Sequence, residues 1–202
     1  MEANQDSVWD VHIFFTPDYL ETGNEKQKSL HSDLSNHKII SKLSGFYPLI
    51  AGTIPLGIDT ENSDVDILTY HNNPNHLIKI AYAKFRHYSN FSYETKDFDG
   101  EPSVKINFQT NLFSYEIFSQ KIKPENQKGF LHMVVEKRFL DLAGEDFKNQ
   151  IIEKKKQGIK TEPAFCEVLG QKGDPYQVLL DLGQSSDETL KEILKSNHFQ
   201  LK

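Results

Sequence analysis

The sequence predicts an α/β (α+β) half followed by an all-helical half, and three observations carry that prediction. Between residues 47 and 118, short apolar or strictly alternating runs recur at strand length, with a helical pattern among them around residues 77–85. Beyond Lys123-Pro124 the alternation stops and helical periodicity takes over. There, glycines and cap-forming residues punctuate one helix after another. The expected division is residues 1–122 as an α/β core and residues 123–202 as a helical C-terminal region.

The elements follow in order. Residues 8–15 are apolar enough for a strand or an extended arm. Leu30, Leu34, Ile40 and Leu43 recur at near-helical spacing until Gly45 stops the run. Residues 47–51 read as a buried strand ending at Gly52, with Pro55 and Gly57 marking a loop behind it. Val65 to Tyr70 is the next strand. Leu77, Ile80, Ala81 and Phe85 then mark an amphipathic helix after a turn cluster at Asn72-Asn73-Pro74-Asn75. Three strands are expected over 91–98, 103–109 and 112–118, the first two joined by a hairpin at Asp99-Gly100. The middle one alternates cleanly, Val104, Ile106 and Phe108 against Lys105, Asn107 and Gln109.

In the second half, residues 125–142 form a strong helix closed by Gly144, and Phe147, Ile151 and Ile152 a further one ending near Gly158. Thr161 caps a short helix carrying Pro163 in its first turn, and Asp174-Pro175 opens another that Gly183 stops. Ser185 and Glu188 have the spacing of a capping box for the last helix.

Composition narrows the class. The chain has 202 residues, 37% of them apolar, and its fourteen Phe and eight Tyr supply ample core volume. A formal charge of −6 disfavours a long nucleic acid as partner, because neutralising phosphates requires a basic excess. The lone Cys166 cannot close an internal disulfide and reads as a buried structural thiol. The polar, acidic start lacks the pattern of a secretory leader, and no apolar run is long enough to span a bilayer, so a cytoplasmic protein is expected with no membrane partner.

Chemistry concentrates at two places. The run Leu49-Ile50-Ala51 leads into Gly52-Thr53, and shortly afterwards comes Ser63-Asp64-Val65-Asp66-Ile67-Leu68. Strand alternation places Asp64 and Asp66 on one face, away from Val65 and Ile67. Adjacent carboxylates repel unless a cation sits between them, which suits a hard divalent ion. Gly52 permits close backbone approach to a ligand, and Thr53 offers a hydroxyl to a phosphate oxygen. A two-metal centre needs a third acid. Glu116, in Tyr115-Glu116-Ile117-Phe118, is the choice, with Glu94 and Asp99 as competitors. An Asp-x-Asp pair alone is common on solvated strands; its apolar setting and the preceding Gly-Thr turn give it weight here.

These residues resemble the nucleotidyltransferase superfamily typified by DNA polymerase beta. The stretches Gly52-Thr53-Ile54-Pro55-Leu56-Gly57-Ile58-Asp59, Asn62-Ser63-Asp64-Val65-Asp66-Ile67 and Glu116-Ile117-Phe118-Ser119-Gln120 are similar to an uncharacterised bacterial family within it. So is the downstream segment from Gln127 through His132-Met133-Val134-Val135-Glu136-Lys137-Arg138-Phe139-Leu140, and the likeness runs from about Tyr19 to Leu142. It implies a minimal mixed sheet flanked by helices. It also implies Mg²⁺ (or Mn²⁺) on Asp64, Asp66 and Glu116, and nucleoside triphosphate phosphates at Gly52 and Thr53. Where the superfamily usually has Gly-Ser or Gly-Gly, Gly52-Thr53 keeps the hydroxyl and adds a methyl group.

The activity so implied is transfer of a nucleoside monophosphate from a triphosphate to a hydroxyl acceptor, whether a small molecule, a protein or an RNA end. Alternatives from other classes are an inactive nucleotide-binding regulator and a protein-interaction module.

Softer candidates complete the set. Ser63 belongs to the same loop as the acid pair, and Lys105 has the reach for a phosphate although a solvated face is its commoner use. His132 and Glu136, at i and i+4, read as a helix-surface pair or a contact with the sheet domain rather than a metal site. His71 and His76 flank a turn and are expected in solvent, and Lys154-Lys155-Lys156 reads as a wet basic face. That run is the only cluster worth testing against an RNA acceptor.

Overall fold

The computed structural model describes residues 11–98 and 100–202. The chain forms two compact units, one of residues Ile13–Gly57 and Glu61–Phe130, the other of residues 11–12, Ile58–Thr60 and Leu131–Lys202.

The first unit is built on a sheet. Two short 3₁₀ turns, Val11–Phe15 and Pro17–Thr22, lead to helix α1 (Glu25–Asn36). The strand or arm expected over residues 8–15 is therefore a 3₁₀ turn where it falls within the described residues; residues 8–10 lie outside them. At the start of α1 a capping box is complete: Asn24 Oδ1 accepts from Gln27 N and Gln27 Oε1 from Asn24 N. Lys38, in the left-handed region at φ 52°, separates α1 from α2 (Ile39–Lys42), so one expected helical run becomes two.

Strand β1 (Leu49–Ala51) ends at Gly52, and α3 (Thr53–Leu56) follows where a loop was expected. Pro55 sits in the first turn of α3, where a missing N–H costs nothing. Strand β2 (Val65–Tyr70), helix α4 (Pro74–Phe85), β3 (Ser89–Phe98), β4 (Glu101–Gln109) and β5 (Ser114–Gln120) complete the unit. Asp99, expected in the hairpin, lies outside the described residues.

The strand order is β1-β2-β5-β4-β3. β2 and β5 run parallel, and every other pairing is antiparallel, giving a mixed sheet. Period-two alternation then sorts the side chains. Val65, Ile67, Val104, Ile106, Phe108, Tyr115 and Ile117 point into a core shared with Leu30 and Leu34 of α1, Ile39 of α2, and Leu77, Ala81 and Phe85 of α4. A stacked column, Phe85 to Phe108 at 4.6 Å and Phe108 to Tyr115 at 4.9 Å between ring centroids, ties α4 to β4 and β5. Asp33 is buried beside this column, where its carboxylate accepts from Tyr115 Oη at 2.6 Å and Thr110 Oγ1 at 2.9 Å. Burial and that hydrogen bond push the Tyr115 phenol well above the ordinary tyrosine range. The opposite face of the sheet carries Asp66, Glu116, Asn107 and Ser92 in one row across four strands.

A 3₁₀ turn at Pro124–Asn126 delays α5, which spans Lys128–Leu142. The other unit holds most of α5, then α6 (Glu145–Lys156), α7 (Thr161–Val168), α8 (Pro175–Gly183) and α9 (Asp187–Ser196). Edge-to-face contacts of Phe147 with Phe165 at 5.6 Å and with Phe199 at 5.0 Å centre its core, which Ile151, Leu169, Leu179, Leu190 and Leu194 fill out. Asp174 caps α8 as expected by accepting from Tyr176 N. The cap of α9 is Ser186, one residue later than expected, accepting from Thr189 N. Cys166 is buried, and burial, with Glu162 and Asp174 adding to it, pushes the thiol up to about 11. Among the described residues no helix is long and apolar enough to cross a membrane.

Candidate functional site

The site residues expected from the sequence fall within the sheet-bearing unit, at the end of β1, at the start of β2, and on β4 and β5. Antiparallel pairing sets Ala51 opposite Asp66, so the chain leaves the sheet at Gly52 directly beside the Asp66 side chain. Gly52 has φ 83° and ψ −156°. A Cβ built on it would lie 2.2 Å from Asp66 Oδ2, so only glycine fits this approach without displacing the carboxylate.

Asp66 and Glu116 are Cα partners on the parallel pair β2 and β5. Their backbones are therefore about 4.8 Å apart, the spacing of neighbouring strands, and their side chains leave the same face. Asp64 lies just before β2, in an exposed position rather than within the strand.

Thr53 Oγ1 donates to Ser63 Oγ at 3.4 Å, which links the glycine turn to the loop carrying the acids. Lys105, on β4, places its Nζ 2.5 Å from Glu116 Oε2. The structure thus brings together Gly52 with Asp66, Asp66 with Glu116, Glu116 with Lys105, and Thr53 with Ser63. Glu94, a competitor for the third acid, stands opposite Lys105 on β3.

One positioning residue escaped the sequence reading. Gln27 is buried, and its Nε2 donates to Ile54 O at 2.9 Å and to Pro55 O at 3.0 Å. It fastens α3, and with it the Gly52-Thr53 turn, to the start of α1. The signal was present in the sequence as the Asn24-x-x-Gln27 capping pattern.

Two polar features differ from expectation. His71 is buried, not solvent-exposed, with Nδ1 2.9 Å from Ser119 Oγ, and burial holds its pKa below the usual histidine range. His132 and Glu136 are buried inside the helical unit rather than on a helix surface. There His132 Nε2 meets Tyr176 O at 2.9 Å and Nδ1 lies 3.3 Å from Glu162 Oε1. Within the basic run, Lys154 pairs with Glu167 and Lys156 with Glu153.

Asp64, Asp66 and Glu116 offer hard oxygen donors, and the absent Cβ of Gly52 lets the Asp66 carboxylate lie against the turn, so the donor chemistry suits a divalent cation such as Mg²⁺. A cation already rests on Glu116 in the form of the Lys105 ammonium. Among the described residues, no three His, Cys, Asp or Glu side chains are grouped so as to hold a metal ion in their present positions.

Comparison with known proteins adds the following. The model of a family described as Domain of unknown function (DUF4269) matches residues 32–182. Among solved structures, the chain is similar to the Cid1 poly(U) polymerase in a crystal structure with MgGTP bound. That likeness has a TM-score of 0.50 at 11% identity, over 81% of this chain and 53% of that one. It is similar to a cytoplasmic RNA terminal U-transferase, with TM-score 0.50 and 12% identity over 76% and 51% of the two chains. It is also similar to a chain of the GLD-2/RNP-8 complex, with TM-score 0.50 and 12% identity over 75% and 57%. The chain spans about half the length of these structures. The likeness shows the nucleotidyltransferase fold, a mixed sheet with flanking helices. The comparison with curated proteins yields no match.

Proposed function

We propose that this chain, which belongs to the family described as Domain of unknown function (DUF4269), is a metal-dependent nucleotidyltransferase. It would move a nucleoside monophosphate from a triphosphate to a hydroxyl acceptor. The observation that carries the reading is the register of Asp66 with Glu116 beside a glycine whose missing Cβ accommodates the Asp66 carboxylate. The nucleotidyltransferase fold supports it, as does the MgGTP named for one structural neighbour.

In this proposal Asp64, Asp66 and Glu116 hold Mg²⁺ or Mn²⁺, which when bound offsets charge on the phosphates and on the departing pyrophosphate. The backbone at Gly52 and the hydroxyls of Thr53 and Ser63 orient the triphosphate, and Lys105 contributes a positive charge toward it. The acceptor oxygen forms its bond to the α-phosphorus while the α–β anhydride bond breaks and pyrophosphate leaves. Glu116 Oε2 receives the acceptor's proton.

The helical region, which a shared sheet leaves free to vary, is assigned the choice of acceptor. The acidic balance of the chain favours an acceptor other than a long nucleic acid, and a cytoplasmic setting suits a triphosphate donor.

The test is calorimetric titration of nucleoside triphosphates with Mg²⁺ or Mn²⁺ into the wild type and into Asp64→Asn/Asp66→Asn. Metal-dependent binding that the double substitution abolishes supports the reading and opens an acceptor screen with α-labelled triphosphate. A folded wild type that binds no triphosphate with either metal refutes it.

A further inference from the structure

One carboxylate touches the Lys105 ammonium, and the charges of two more act on it. Lys105 Nζ touches Glu116 Oε2 on the neighbouring strand β5. Glu94, its Cα partner across the β3–β4 pairing, lies on the other side and also stands 3.4 Å from Lys96 Nζ. The Lys105 ammonium is held above the ordinary lysine range chiefly by the hydrogen bond to Glu116. Burial opposes this, and the charges of Glu116, Glu94 and Asp64 add to it. Lysine suits such a position because a compact charge on a four-carbon stem can swing between partners without losing the strand beneath it.

We propose that Lys105 is the resident counter-cation of Glu116, that it exchanges there with a divalent ion, and that Glu94 is the seat to which the ammonium withdraws. The inference rests on the metal-dependent reading above. A divalent ion and an ammonium crowded onto one carboxylate oxygen repel each other, so the ion enters Glu116 only as Lys105 leaves. Glu94 keeps the departing ammonium paired, which makes Glu94 a positioning residue. The arrangement resists loading of free metal and relaxes when a triphosphate brings its own negative charge for Lys105. Metal and nucleotide then bind better together than separately, as reciprocal coupling between two ligands requires.

The test is direct Mn²⁺ binding, read by paramagnetic resonance of the free ion, on the folded full chain. The proteins are the wild type, Lys105→Met, Lys105→Gln, Glu94→Gln and Asp66→Asn. Without nucleotide, either Lys105 variant is expected to bind Mn²⁺ about tenfold more tightly, since one positive charge beside a divalent ion has gone. Glu94→Gln, which strands the ammonium on Glu116, is expected to bind about threefold more weakly. With triphosphate present, the advantage of the Lys105 variants disappears.

Lys105 variants that match the wild type while Asp66→Asn loses Mn²⁺ overturn the exchange and leave the metal site standing. Mn²⁺ binding untouched by Asp66→Asn, or absent from every protein with and without triphosphate, overturns both.

Discussion

Replacing Glu136 by glutamine separates the cost of a buried charge from the cost of a buried side chain. Glu136 lies on α5 with 3% of its surface exposed. Burial pushes its carboxyl up to about 8, the neighbouring Glu162 pushes the same way, and Lys155 opposes them. His132 belongs to the same cluster, with Nδ1 3.3 Å from Glu162 Oε1.

In the unfolded chain the carboxyl returns to near 4.5. Between those two values the folded protein therefore holds a proton that the unfolded chain has lost. Stability is then fully present below the unfolded value and falls as pH rises toward 8, by roughly 1 kcal/mol per pH unit. Allowing for relaxation of the site, the accumulated loss is on the order of 3 kcal/mol by pH 8 and levels off above it.

Glu136→Gln keeps the shape and cannot ionise. The variant should match the wild type within about 1 kcal/mol at pH 5 and exceed it by about 2–4 kcal/mol at pH 9. Urea unfolding followed by helical circular dichroism at several pH values measures the difference, because the two proteins differ at this one side chain. Stability curves that stay parallel from pH 5 to 9, or a variant less stable at pH 9, would show that Glu136 carries no such burden.

Two further substitutions test the framework around the site, and a third tests the helical unit. Gly52→Ala places a methyl against Asp66 Oδ2 in a backbone conformation that disfavours side chains, and should cost about 1–2 kcal/mol of stability. It should also weaken calorimetric binding of metal–triphosphate at least about tenfold, since the carboxylate must move; unchanged affinity would remove Gly52 from the site. Gln27→Leu leaves the carbonyls of Ile54 and Pro55 without their buried donor and should cost about 2–3 kcal/mol in urea unfolding, with weaker triphosphate binding. Arg138→Met removes the guanidinium that donates to Gly183 O, Ser185 O and Asp187, and should cost about 3 kcal/mol in thermal unfolding.

Local patterns in the sequence were readable where chemistry and neighbours lie close together. The strand Val65–Tyr70 and the Asp174 cap of α8 appear where the sequence places them, because alternation and capping depend on residues a few positions apart. The α3 helix was hidden by Pro55 and Gly57, which read as loop punctuation yet suit the first turn and the left-handed end of a four-residue helix.

Remote partners were harder still. His71 waits on Ser119, His132 on the Tyr176 carbonyl, and Arg138 on a turn between α8 and α9. Nothing near those residues in sequence signals that they are buried. For the candidate site, acid types and spacing drew attention to Asp64, Asp66 and Glu116. The ion pair of Lys105 with Glu116 depended on antiparallel register, which the sequence leaves open.

The lone parallel pairing in the sheet also has a bearing on when the site comes into being. β2 and β5 cannot meet until α4 and the β3 and β4 segments that separate them in sequence have been synthesised. On a ribosome, Asp66 would emerge long before the strand that carries Glu116, and the loop they close is of the costly, slow-forming kind. A nascent chain with only its first two strands therefore presents Asp64 and Asp66 without Glu116, the acid that completes the set. Competence for binding arrives together with the completed topology, and a bound ion would lock the last strand to join rather than the first.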